Sequence, residues 1–201
     1  MEASDNEQYF FNFSFFKIDP KWRWMADLAK EESAKEVENV IINSGIKFRS
    51  YSTLGLRDDA EFLFWFAAET VEEIQNVISK LYLTVFGKYI IPSRVYLSCT
   101  RSSTYARKGT LPSFVLGNEP QKYVIVYPFT KTREWYLLPQ EQRQKMMDQH
   151  INVSEKYPQV TLNTTYSFGI GDQDFMLAFE CDDLRDFQNL IMDLRQTPVS
   201  A

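Results

Sequence analysis

The chain repeats itself, and a repeat on this scale constrains the fold more than any single motif. The segment F-M-L-A-F-E-C-D-D-L-R-D-F-Q-N-L-I-M-D-L from Phe175 lies without a gap over F-L-F-W-F-A-A-E-T-V-E-E-I-Q-N-V-I-S-K-L from Phe62. Phe66 then meets Phe179, Ile74 meets Phe187, Gln75 meets Gln188, Asn76 meets Asn189 and Leu81 meets Leu194, at a constant offset of 113. Upstream, Y-S-T-L-G-L at Tyr51 corresponds to Y-S-F-G-I at Tyr166 once a residue is skipped, and the same offset places Trp22 on Trp135. The predicted organisation is an N-terminal unit over 1–106 that includes the start of a basic connector, the rest of the connector over 107–119, and a C-terminal unit over 120–201.

Each copy reads as strand, helix, strand, strand, helix. The first strands, Tyr9–Lys17 and Tyr123–Phe129, are aromatic and β-branched, as half-buried pleated surfaces prefer. A helix over Asp27–Asn43 carries Leu28, Val37, Val40 and Ile41, with Gly45 placed to cap its end. In the second copy Pro139 opens the equivalent helix, where its missing N–H costs nothing. Hairpins around Gly55 and Gly169 lead into the most apolar strands, Glu61–Phe66 and Asp174–Phe179, and Thr70 with Glu73 has the spacing of a capping box before the last helix of the first unit. This order gives an α+β fold in which an antiparallel sheet carries helices on one face, the ferredoxin-like pattern. Two such units in one chain can form a dimeric α+β barrel that encloses a cavity.

A net charge of −5 and a pI near 5.1 argue against a nucleic-acid footprint, which needs concentrated Lys and Arg. The aromatic run from Tyr9 to Phe16 is broken by Asn12 and Ser14 and is too short to cross a bilayer, so neither a membrane span nor a signal peptide is expected. Cys99 and Cys181 stand far apart without a C-x-x-C pair, which fits a cytoplasmic protein. No P-loop, G-x-G-x-x-G or G-x-S-x-G motif is present.

A duplicated chain carries its own control: residues shared by both copies serve the fold, and polar residues unique to one copy are candidates for function. Tyr127 stands where the first copy has Ser14, Lys131 where it has Ile18, and His150 where it has Val37. His150 lies on a stripe with Met146, Met147, Val153 and Tyr157 at helical spacing, so its ring faces inward. It reads either as a core histidine bonded to a carbonyl or as a metal ligand. Zinc and non-haem iron sites need two or three His or carboxylate ligands, and this chain has one histidine, whereas haem needs only one because the porphyrin supplies four nitrogens. Tyr127, before Pro128, reads as packing or as a functional phenol; Lys131, Arg101, Arg107 and Lys108 read as solvated charges or as a rim for ligand carboxylates. Trp135, matched by Trp22, and the pair Met146 and Met147 read as core.

Four spaced motifs then agree in order: Y-P-F-T-K at Tyr127, W-Y-L-L-P-Q-E-Q-R at Trp135, M-M-D-Q-H ending at His150, and Y-S-F-G-I-G-D-Q-D-F from Tyr166. Together with Y-L-S-C-T-R-S-S-T-Y ending at Tyr105, they resemble the chlorite dismutase family, which includes the coproheme decarboxylases of haem synthesis. The resemblance implies fused ferredoxin-like units, a homopentamer, and haem or coproheme held in the second unit. It implies His150 as proximal iron ligand, Lys131 and Trp135 on the proximal side, Met147 as a further cofactor contact and Tyr105 near the propionates. Tyr127 falls on the tyrosine that, in the decarboxylase branch, takes hydrogen from a propionate, with hydrogen peroxide as oxidant and Lys131 assigned with it to the catalytic set.

Three departures qualify the resemblance. Leu162 takes the distal position at which chlorite dismutases carry an arginine, so chlorite chemistry is not expected. The glutamate that orients the proximal histidine in the family falls on Pro198, and Ala201 comes where relatives continue into a closing strand. The expected activity is peroxide-dependent conversion of coproheme propionates to vinyl groups. The alternatives are a haem-binding protein with weak peroxidase activity and a haem-free structural member.

Overall fold

The structure, a computed structural model, describes residues 8–102, 105 and 111–197. The chain divides into two compact units, Gln8–Cys99 and the part from Thr100 onward.

In the N-terminal unit, β1 (Phe10–Ile18), α1 (Asp27–Ser44), β2 (Lys47–Ser52), β3 (Phe62–Ala68), α2 (Val71–Leu83) and β4 (Ile90–Cys99) follow one another, with short 3₁₀ turns at Pro20–Trp24 and Phe86–Lys88. β1 lies between β3 and β4, and β2 lies outside β3, all antiparallel. One sheet face presents Phe16, Phe64, Phe66 and Ala68 to Ile74, Val77 and Leu81 of α2, with Val37, Val40 and Ile41 of α1 packed against the same cluster. Gly45 ends α1 at φ 70, a conformation that favours glycine, and Thr70 and Glu73 cap α2 reciprocally, both as the sequence predicts.

The C-terminal unit repeats the order with β5 (Tyr123–Phe129), α3 (Arg133–Leu137), α4 (Gln140–Ser154), β6 (Thr161–Tyr166), β7 (Phe175–Cys181) and α5 (Leu184–Leu194). β7 pairs antiparallel with β5 on one side and β6 on the other. Phe179, Leu190 and Leu194 form its core, with Ile125, Tyr127, Val153, Tyr157 and Phe187 packed around them. Pro139 is not the first helical residue of α4 but its N-cap: its extended backbone (ψ 143°) stands one residue outside the helix, and its carbonyl accepts from the Arg143 N–H at 3.1 Å. The missing N–H is harmless there for the same reason. The duplicated ferredoxin-like α+β fold is therefore present. Part of the stretch expected as connector is anchored: Phe114 and Val115 are buried, and the Ser113 hydroxyl donates to Asn163 Oδ1 at 2.7 Å.

Candidate functional site

The two units differ most on the helix side of their sheets. In the first, Phe48 lies opposite Phe66 and packs its ring against Phe64 and Phe66 with centroids 5.1 and 5.2 Å apart. In the second, Leu162 takes the matching place opposite Phe179 yet remains 47% exposed. On the helices, Val40 and its counterpart Val153 both pack against their cores, and Val37 and its counterpart His150 are both half-buried. No residue of α4 is fully buried. The place that the Phe48 ring fills in one copy is thus left incompletely covered in the other, at Leu162.

The two ring nitrogens of His150 are in different surroundings. Its Nδ1 lies 3.4 Å from Thr197 Oγ1, and among the described residues Nε2 has no hydrogen-bond partner. Burial, and then the nearby Lys131 charge, lower its pKa below the ordinary imidazole value. The ring is therefore neutral at physiological pH, the form that coordinates metals.

Lys131 sits at the turn after β5, its ammonium 4.8 Å from both the Phe129 and Trp135 ring centroids. That turn is pinned by Asp174, whose Oδ2 accepts the Lys131 backbone N–H at 2.9 Å and the Tyr136 hydroxyl at 2.7 Å. Burial lowers the Lys131 pKa from 10.5 to about 8. The unfolded chain thus binds more protons than the folded one between pH 8 and 10.5, and stability contributed at this residue rises with pH across that window. We expect Lys131→Met to be more stable than wild type at pH 7 by about 1 kcal/mol, the full shift being discounted for partial exposure. The advantage shrinks towards pH 10, as urea unfolding at the two pH values checks; a variant less stable at pH 7 would show that the two ring contacts outweigh desolvation.

Trp135, only 7% exposed, meets the Tyr105 ring at 6.2 Å, and the Arg143 guanidinium lies 5.9 Å from the Tyr105 centroid. The Arg143 Nε is buried with no hydrogen-bond partner among the described residues. Tyr127 lies on the helix face of β5 and stacks on Phe179 at 5.9 Å. Burial raises the Tyr127 pKa, with Arg195 opposing weakly, so the phenol is protonated at neutral pH.

The structure therefore brings Lys131, Trp135 and Tyr105 into one cation–aromatic group and sets the Lys131 charge near His150. Tyr127 and Leu162 share the helix face of the sheet through their pairing with Leu177 and Phe179. Met147 is half-buried on α4, one turn before His150. Arg101 is exposed, while Arg107, Lys108, Pro198 and Ala201 lie outside the described residues. Sequence reasoning missed Thr197, Arg143 and the anchoring role of Asp174. Asp174 and Arg143 left traces, as part of the G-D-Q-D-F and W-Y-L-L-P-Q-E-Q-R motifs, and Thr197 left none.

Among the described residues, no group of three or more His, Cys, Asp or Glu could hold a metal ion, and no helix is long and apolar enough to cross a membrane. A cleft of about 460 Å³ in the N-terminal unit is lined by charged side chains that include Arg23, Arg57 and Glu61; these are engaged in the Arg23–Glu61 and Arg57–Asp59 ion pairs.

The model of the chlorite dismutase family matches residues 29–201. The chain belongs to the chlorite dismutase family. The coproheme decarboxylase of Mycolicibacterium smegmatis is 37% identical over 148 residues, which cover 73% of this chain and 64% of that protein, so the match spans less than two thirds of this relative's length. The chlorite dismutase of Candidatus Nitrospira defluvii, solved in complex with imidazole, superposes with a TM-score of 0.86 at 27% identity, over 96% of this chain and 84% of that one. A tryptophan-to-valine variant of the same enzyme gives 0.85 at 25% identity, with the same coverage.

Within the chlorite dismutase family fold, this donor set suits a metal that brings its other ligands with it. One neutral imidazole offers a single lone pair, Leu162 is an exposed apolar side chain, and Lys131 and Arg143 are cations of the kind that peripheral carboxylates would need. The His150 Nε2 and the Arg143 Nε, neither with a hydrogen-bond partner among the described residues, fit such a group.

Proposed function

We propose that this chain binds an iron porphyrin on the helix side of its C-terminal sheet, where His150 would hold the iron, and catalyses peroxide-dependent decarboxylation of coproheme propionates to vinyl groups. The observation that carries this reading is the sole histidine, neutral and half-buried, whose Nε2 has no hydrogen-bond partner among the described residues. The 37% identity to a coproheme decarboxylase supports the choice of substrate. The helix face of β6 offers Leu162, Thr164 and Tyr166, and no guanidinium to hold an oxyanion, which argues against chlorite as substrate.

A bound iron porphyrin would supply the oxidising chemistry, with hydrogen peroxide as the oxidant. Each propionate side chain, CH2CH2COO⁻, together with one peroxide and one proton, yields a vinyl group, one CO2 and two waters. The protein's share is positioning and hydrogen transfer. Lys131 as an ammonium, and Arg143 with its buried Nε, would hold carboxylates at the edge of the site. Trp135, packed between Lys131 and Tyr105, keeps that cation in place and excludes water. Tyr127, protonated and stacked on Phe179, would give up its phenolic hydrogen when oxidised and recover it from the propionate chain. Assembly as a homopentamer and residence in the cytoplasm belong to the same reading and rest on the family resemblance.

An absorption titration with ferric coproheme, followed by peroxide and mass analysis of the porphyrin, tests the proposal. A saturable Soret shift and a vinyl product support it. Binding followed only by bleaching would leave a haem-binding protein with peroxidase activity, and an unchanged porphyrin spectrum would leave the fold without the site.

A further inference from the structure

We propose that Thr197 is the positioning residue that selects the tautomer of His150, accepting a hydrogen bond from Nδ1–H and so presenting Nε2 as a bare lone pair to the ligand. The inference deepens the porphyrin-binding reading and rests on it for the identity of that ligand, but the tautomer itself is a property of this chain.

The argument is a count of protons. Thr197 follows the last turn of α5, and both its donors go to one acceptor: its backbone N–H to the Leu194 carbonyl at 2.9 Å and its hydroxyl to the same oxygen at 2.7 Å. With its only O–H proton committed, Oγ1 has nothing left but lone pairs to turn towards the imidazole 3.4 Å away. The ring nitrogen facing it must therefore be the donor, since two lone pairs at that separation repel. In its neutral form the imidazole carries one proton, so if Nδ1 holds it, Nε2 does not. An unconstrained neutral histidine in water favours the opposite tautomer, with the proton on Nε2, which cannot coordinate a metal. The contact thus orders the ring for ligation before any ligand arrives.

The kind of acceptor matters as well as its place. A metal-bound histidine usually donates its other N–H to a carboxylate, a backbone carbonyl or water, and the basicity of that partner tunes the ligand. Here the partner is a neutral hydroxyl at the long end of hydrogen-bonding distance, already polarised towards Leu194. It orients the imidazole while drawing little on the Nδ1 proton, so the ring ligates as a neutral donor rather than with imidazolate character.

The presence of a single histidine makes the test direct. The full-length protein, with its histidine labelled with nitrogen-15, is examined by two-bond proton–nitrogen correlation at pH 7.5 without porphyrin, as wild type, Thr197→Val and Thr197→Ser. We expect a protonated Nδ1 and a pyridine-like Nε2 in wild type, reversal or mixing of the two signals in Thr197→Val, and recovery in Thr197→Ser. In the ferrous haem-bound protein, the iron–histidine stretching band should move to lower frequency in Thr197→Val and return in Thr197→Ser. Wild-type-like nitrogen shifts in Thr197→Val, with thermal unfolding confirming a folded variant, would overturn the inference. A correct tautomer in a chain that binds no porphyrin would instead uphold the inference and overturn the reading on which it rests.

Discussion

Tyr127→Phe is expected to bind ferric coproheme as wild type does and to lose vinyl formation by at least about a hundredfold, the lower end of what a positioned proton-transfer group contributes. The separation of the two effects follows from where the side chain sits. Its ring belongs to the core cluster of the C-terminal unit and stacks on Phe179, contacts that phenylalanine retains. Its hydroxyl has no hydrogen-bond partner among the described residues, so removing it leaves no buried group unsatisfied and costs little stability. What is lost is a phenol that burial keeps protonated at neutral pH, the form that can yield a hydrogen atom. Stopped-flow spectra on adding peroxide, with mass analysis of the porphyrin, check this. Equal binding with equal turnover would reduce Tyr127 to a packing residue, the role its neighbours on β5 already have.

The first copy makes the contrast concrete. At the equivalent place Ser14 is buried and hydrogen-bonds Asn12 on the same strand, and the space above it is closed by the phenylalanines of β2 and β3. The sequence showed this difference because the offset of 113 sets Tyr127 on Ser14 and His150 on Val37. It also showed the helix caps at Gly45 and Thr70, which depend on residues within one turn of each other. Local signals of that kind survive in the order of residues.

What did not survive are contacts made by tertiary closure. Thr197 reaches His150 across 47 residues, Asp174 reaches the Lys131 turn across 43, and Gln144 donates to the Tyr105 carbonyl across 39. Each depends on how α4, α5 and the β5–α3 turn pack, and no spacing rule encodes that. The openness of Leu162 was equally hidden, because a leucine opposite a phenylalanine on a sheet normally reads as core. Comparison with Phe48, half-buried and packed against two aromatic neighbours at the matching position, reveals the openness at Leu162.

For His150→Ala, the affinity for ferric coproheme should fall by more than the roughly 10–100-fold that follows loss of a mere supporting partner of a metal ligand. The chain has no second histidine to take its place. Alanine is the best helix former, and His150 is only half-buried, so α4 should persist and the apo-protein should unfold near the wild-type midpoint. Millimolar imidazole should then restore part of the Soret shift by entering the vacated place, whereas it should do nothing for a variant that has simply misfolded. The pH dependence carries its own sign. Because burial and Lys131 lower the His150 pKa, protons begin to compete with the metal only below the ordinary imidazole value of 6.5, and wild-type affinity should hold as pH falls through that point before declining. An affinity already halved at pH 6.5, or unchanged by His150→Ala, would place the ligand elsewhere. The cations Lys131 and Arg143 would then have to account for any porphyrin bound, through its carboxylates, and that binding would weaken with salt, as coordination by Nε2 does not.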